Sequence, residues 1–343
     1  MRPLVYFLCL FLFSITTYSQ NRYFSVKRIK SNNDFSFPFF SGGNTFSVSK
    51  KINQLLQISE LEILRTSPDK NIFKKITADD SGIYGAKVAI SYAIQSNNSK
   101  ILSLKFDQAS CGMTCHYWVR YYNFNAQNGD LLQLKDMFTE IGYREFYRKV
   151  AQKRINQLRK EIKKLGKVEQ ASFKEIEGFY ADDDLKDFYI KNGNLYIDGD
   201  NSFHKNLKFS GIETVCMFRS GEFKRFLNAG GKSIFNLNNR SIKECHSKSL
   251  PQLFVGKIAE KNVLMVINTG YKNDIRAEYV YQKYGEGIFL SGQLNDTTLS
   301  LTEKNKDYND IGIIKAKFKN NQIEGTWISK KNNEIYKVSL NKT

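Results

Sequence analysis

Proline occurs only 4 times in 343 residues, histidine 3 times and tryptophan twice, and past the first twenty residues no apolar run is long enough to cross a bilayer. So little proline argues against extended, linker-like chain. So few histidines leave little material for nucleophile–base pairs or imidazole metal sites, and none accompanies a nucleophile-elbow sequence. A membrane helix needs about 18–20 consecutive apolar residues, so no span is expected once the N-terminus is set aside.

What is present begins with Met1-Arg2-Pro3, a twelve-residue apolar run from Leu4 to Ile15 broken only by Ser14, then Thr16-Thr17-Tyr18-Ser19. A cation, a short apolar core and small residues at Thr17 and Ser19 have the tripartite form of a cleavable secretory signal, so residues 1–19 are expected to be removed. The chain is then expected to work outside the cytoplasm, in a periplasm or fully secreted. Hydrophobic content of 41% and aromatic content of 14% indicate folded protein, and the length suggests two domains. The formal charge of +18, or +17 without Arg2, points for an exported protein to anionic envelope polymers or acidic proteins rather than nucleic acid.

Four cysteines follow the leader, Cys111, Cys115, Cys216 and Cys245. In an oxidising compartment an even number reads as disulfides with three connectivities. Cys111–Cys115 and Cys216–Cys245 are favoured, because each closes a modest loop within one region.

Residues 20–34 are polar and read as irregular. A short strand over 35–39 is interrupted by Pro38 and so belongs near a sheet edge. Apolar residues at three- and four-residue intervals predict a helix over 49–64. Alternation predicts strands over 88–94 and 102–106 joined by Ser96-Asn97-Asn98-Ser99, and an aromatic strand over 117–124. A long helix over 143–164 carries Tyr143, Tyr147, Val150, Arg154, Leu158 and Ile162 on one stripe, with Gly166 as its stop. Lys191-Asn192-Gly193-Asn194 turns a second hairpin, followed by a strand over 215–218 and a short helix over 222–227. Residues 35–235 therefore form an α+β domain: an antiparallel sheet with one long helix. Residues 236–252 read as a linker. From 253 to 343, eight short alternating segments about ten residues apart predict a β-meander closing into a small barrel.

Several stretches resemble a known exported family of unknown function, found in lysozyme-sensing anti-sigma factors and beside peptidoglycan deacetylase domains. They are Phe35-Ser36-Phe37-Pro38, Ile52-Asn53-Gln54-Leu55-Leu56, Leu102-Ser103-Leu104-Lys105-Phe106, His116, and Tyr122-Asn123-Phe124. The strongest is Asn128-Gly129-Asp130-Leu131-Leu132-Gln133-Leu134-Lys135-Asp136-Met137-Phe138. Phe188-Tyr189-Ile190 with Gly193, and Phe223-Lys224-Arg225-Phe226-Leu227, are similar to its closing strand and helix. The resemblance spans about residues 30–235 and implies a non-catalytic extracellular domain recognising a protein or cell-wall ligand. Residues 197–218 lack the proline- and tyrosine-rich sequence usual there, so ligand identity does not carry over. The C-terminal strands resemble lipocalin-like meanders of other exported bacterial proteins.

Cofactor chemistry fits poorly. Cys111-Gly112-Met113-Thr114-Cys115-His116 has three residues between its cysteines, where haem attachment needs two. A zinc site would draw on these thiols with Cys216, Cys245, His116, His204 and His246, but oxidation competes for them. Asp182-Asp183-Asp184 and Asp198-Gly199-Asp200-Asn201 do not fit the twelve-residue calcium loop. No metal or cofactor is therefore expected. The remaining candidates are His116, Tyr117, Trp118, Tyr121 and Tyr122, where alternation puts Trp118 and Tyr122 on one face and Tyr117 and Tyr121 on the other. One face then offers aromatic area to a ligand, unless both are covered, one of them by the 143–164 helix. The expected role is binding an envelope polymer or extracellular protein; the alternative is an envelope-directed hydrolase with acidic residues in a cleft.

Overall fold

A computed structural model describes residues 22–78, 86–164, 185–202, 211–242, 245–247, 249–270, 274–305, 307 and 309–343. The signal segment, Gly166, Asp182-Asp183-Asp184 and His204 lie outside the described residues.

The chain opens with β1 (Phe24–Lys30) paired antiparallel to β2 (Ser36–Gly42). This corrects the reading of 20–34 as irregular. Only Phe24 and Ile29 are buried, while Lys27, Arg28 and Lys30 face outward and mask the strand signal. Helix α1 (Phe46–Leu61) follows, burying Ile52, Leu55, Leu56 and Ile58. After a short helix α2 (Lys74–Thr77), three long strands form an antiparallel sheet: β3 (Lys87–Asn97), β4 (Ile101–Cys111) and β5 (Cys115–Asn125). The long helix α3 (Glu140–Ile162) buries Phe146, Val150, Arg154, Leu158 and Ile162. Four of those five were in the predicted stripe; the helix starts a turn earlier because Thr139 caps it, accepting from the Gly142 amide at 3.0 Å. A third sheet contains β6 (Phe188–Lys191), β7 (Asn194–Asp198) and β8 (Val215–Phe218).

The eight C-terminal segments form β9 (Gln252–Ile258), β10 (Lys261–Thr269), β11 (Asp274–Tyr281), β12 (Gly287–Asn295), β13 (Thr298–Lys304), β14 (Asp310–Lys319), β15 (Gln322–Ser329) and β16 (Ile335–Lys342). β16 pairs with β9, so the meander closes into an eight-stranded barrel without a free edge. Gly256 and Gly292 let neighbouring strands approach closely: an added Cβ would stand 2.0 Å and 1.8 Å from the carbonyls of Ser339 and Ser300. The fold is thus α+β antiparallel sheets with few helices, followed by an all-β barrel.

Among the described residues three apolar cores organise it. One fills the barrel with residues such as Met265, Leu290, Leu301 and Leu340. A second joins α3 to β6–β8 through Phe146, Phe188, Phe218 and Phe226. The third lies among β1–β5 and α1 and continues onto the barrel through Leu253, Leu264, Val266 and Val280. Described residues of the 236–252 segment form a strap that is hydrogen-bonded to the α+β region. Asn125 Nδ2 donates to the carbonyls of Ile242 (2.7 Å) and Cys245 (2.9 Å), and the Ser247 and Ser249 hydroxyls donate to the Asp136 carboxylate at 2.8 Å and 3.1 Å. Among the described residues no helix is long and apolar enough to cross a membrane.

Candidate binding surface

β4 and β5 stay in register to their ends, where Cys111 stands directly opposite Cys115. A disulfide joins them, so Gly112-Met113-Thr114 is held at the tip of a closed hairpin. The second expected disulfide does not form: Cys216 and Cys245 are free thiols. Each has its own neighbours. Cys216, on β8, donates from Sγ to Gln157 Oε1 of α3 at 3.1 Å. Cys245, in the strap, lies over Gly230, where an added Cβ would come within 2.6 Å of its sulfur. Burial pushes both thiols up to about 11.

Alternation along β5 turns out as read, but the covers differ from those expected. Tyr122 faces α1: it is 6% exposed, and its hydroxyl donates to Glu60 Oε1 at 2.5 Å. Arg120 donates to the same carboxylate at 3.3 Å and to the Ser59 carbonyl at 3.1 Å, and Lys87 Nζ donates to the Glu60 carbonyl at 2.7 Å. Burial and the Glu60 charge push the Tyr122 hydroxyl well up, whereas Glu60 raises Arg120. Tyr121 points the other way, to the β6–β8 sheet rather than α3. Its ring stacks on Tyr189 at 5.4 Å and its hydroxyl donates to Asp198 Oδ2 at 2.6 Å. Burial, then the Asp198 charge, raises it too. Both tyrosines are therefore built into the frame. Further along the strand, Trp118 is half-buried and His116 exposed, while Tyr117 is 50% exposed and Met113 at the tip fully so. Met113 was not a candidate from sequence, because nothing in a lone methionine marks it as the apex of a turn.

A second surface lies near the other end of α1. Ser47, Lys50, Lys51 and Gln54, at i, i+3, i+4 and i+7, line a groove of about 400 Å³ whose far wall includes Val255, Leu264 and Gln282 of the barrel side. No Asp or Glu is among the described residues lining it. Beside it Lys51 Nζ donates to Asp130 Oδ1 and to the Thr343 carbonyl (2.6 Å). Asp130 is buried, and His246 Nδ1 and the Ser247 amide meet its other oxygen at 3.0 Å and 3.2 Å. Burial works to raise Asp130, but Lys51, Lys342 and His246 outweigh it and hold the carboxyl below its usual range. Lys51 is lowered by its own burial.

The barrel holds a different carboxylate. Glu303 Oε2 accepts from the Tyr279 hydroxyl at 3.0 Å and the Trp327 indole at 2.6 Å. Burial raises it, against those two bonds. Neither it nor Asp130 was distinguishable in sequence from the other acidic residues. Among the described residues no group of three or more His, Cys, Asp or Glu side chains is arranged to hold a metal.

No family model and no curated protein matches the chain. Among solved structures, a member of the DUF3298 family from Bacteroides fragilis is similar, with 12% identity over 64% of this chain and 99% of its own, at a TM-score of 0.42. At that level of likeness nothing about ligand or activity passes from that protein to this one.

Proposed function

We propose that the chain is an exported, non-catalytic binding protein of the cell envelope, recognising a polymer or protein through the tip of the β4–β5 hairpin. The ligand class implied by the sequence resemblance is lysozyme or peptidoglycan. One observation carries the reading: Met113 and Tyr117 are presented to solvent on a disulfide-closed hairpin whose base Tyr121 and Tyr122 fix in place. An exposed apolar group on a rigid frame loses little conformational entropy on binding, which is how a small number of anchors dominates an interface. His116 and Trp118 flank the tip on the strand's opposite face. Incubating residues 20–343 with insoluble peptidoglycan and with immobilised lysozyme tests the ligand class. Retention by one of them is expected, and passage through both unretained refutes it.

A further inference from the structure

We propose that the groove between α1 and the barrel is a second binding site, and that its ligand is a short acidic peptide. Its floor is aliphatic, made by Val48, Val255 and Leu264. Its rim carries Gln54 and Lys50 on one helix face, with Gln282 across from them, and beside them Asn128 and Thr343, whose backbone oxygen is occupied by Lys51. Lys51 is already committed to Asp130 and Thr343, whereas Lys50 is exposed and has no ion-pair partner among the described residues. The helix contributes charge of the same sign. The first turn of α1, a helix of 16 residues, holds no acidic residue, and the Thr45 side chain does not cap it. The Val48 amide donates to the Thr45 carbonyl at 3.2 Å, so what the helix adds beside Ser47 is the positive end of its dipole.

A volume of about 400 Å³ lies in the roughly 300–1,000 Å³ range of small-ligand sites. The walls favour a peptide over a sugar, because no aromatic ring, the usual platform for a sugar face, is among the described lining residues. Side-chain amides match peptide N–H and C=O groups, the aliphatic floor suits small apolar side chains, and Lys50 pairs with a carboxylate. The hairpin tip and this groove sit toward opposite ends of α1, which at 1.5 Å per residue is about 24 Å long. The two sites are thus separable.

The test titrates the full chain with end-blocked Ala-Glu-Ala and Ala-Gln-Ala, following backbone amide shifts. The acidic peptide is expected to move signals from Ser47 to Gln54 and at Gln282, the neutral one to bind about tenfold or more weakly, and added salt to weaken the acidic peptide. Lys50→Glu is expected to lower affinity about tenfold or more. Gln54→Trp, which fills the groove and retains Lys50, is expected to abolish binding in a protein with unchanged circular dichroism. Equal binding of the two peptides, no binding of either, or undiminished binding by either variant overturns the proposal. So does loss of peptide binding in a Met113→Ser/Tyr117→Ser variant, which alters only the tip. Failure of the polymer and lysozyme experiment leaves this titration unaffected, so the two readings fail independently.

Discussion

The barrel and the α+β region solve the problem of open sheet edges in different ways. The barrel closes on itself, and every strand has two backbone neighbours. Among the described residues the α+β region has sheets of two, three and three strands, all with edges, and joins several of them to their surroundings through buried or half-buried polar side chains. Three asparagines do this with the same two bonds. Asn53 accepts from the Phe40 amide at 2.9 Å and donates to its carbonyl at 2.8 Å. Asn97 does so with Phe24 at the same two distances, and Asn201 with Val119 at 3.3 Å and 2.8 Å. A side-chain amide carries the donor and acceptor of a peptide unit, so each asparagine stands in for a missing strand neighbour. The barrel depends on ladder closure and aliphatic packing; the α+β region depends on individual polar side chains. Loss of one such group should therefore be felt sharply, because a buried donor or acceptor left unpaired carries its full desolvation cost.

The largest effect is expected at Arg154. It is fully buried on α3 and donates from Nη2 to the Asp198 carbonyl at 2.8 Å, behind the pair made by Tyr121 and Asp198. Arg154→Ala should cost about 3–5 kcal/mol in urea unfolding, since it removes a buried cation with its packing. In the barrel, Leu301→Ala should cost about 2–4 kcal/mol through the cavity it leaves. Asn53→Ala should cost about 1–3 kcal/mol, well above the ordinary value for an asparagine, because both Phe40 backbone groups lose their partner. If Asn53→Ala is neutral while Leu301→Ala is not, the contrast between the regions is wrong.

Two of the buried carboxylates, Asp130 and Glu303, separate the regions by pH. Asp130 is held below its ordinary value of 3.8, so its contribution is present above that pH and lost as pH falls through the folded value. Glu303 is raised above its ordinary value of 4.5, so its contribution is complete below 4.5 and lost as pH rises through the folded value. Asp130→Asn should flatten the acid limb of the stability curve, and Glu303→Gln should flatten the decline above pH 4.5, each read from unfolding midpoints between pH 2 and 8. The smallest effect is expected from reduction of Cys111–Cys115. Its loop is short and the strands are already paired, so about 1 kcal/mol or less should be lost.

The barrel was legible because its residues repeat with period two, and closure follows from eight such segments with glycines where strands crowd. Helix α3 was legible for the same reason, down to Arg154 on its buried stripe. The β1 strand was hidden by its lysines and arginine. The interlocking asparagines were hidden because asparagine reads as a turn residue until the structure shows what lies opposite. Of the candidate surface, the aromatic strand and its stapled end were visible, and alternation sorted its faces. That Tyr121 and Tyr122 are consumed inside depends on Asp198 and Glu60, 77 and 62 residues away in sequence. A pair at that distance leaves no local pattern. The Cys216–Cys245 expectation failed because a convenient loop length says nothing about where the two side chains point.

The most direct measurement compares the full chain with Met113→Ser/Tyr117→Ser for retention on peptidoglycan and immobilised lysozyme, with urea midpoints recorded for both proteins. The account predicts that the intact chain is held by one of these ligands and that the double variant, still unfolding cooperatively in urea, is released. Equal retention of the two proteins would contradict it.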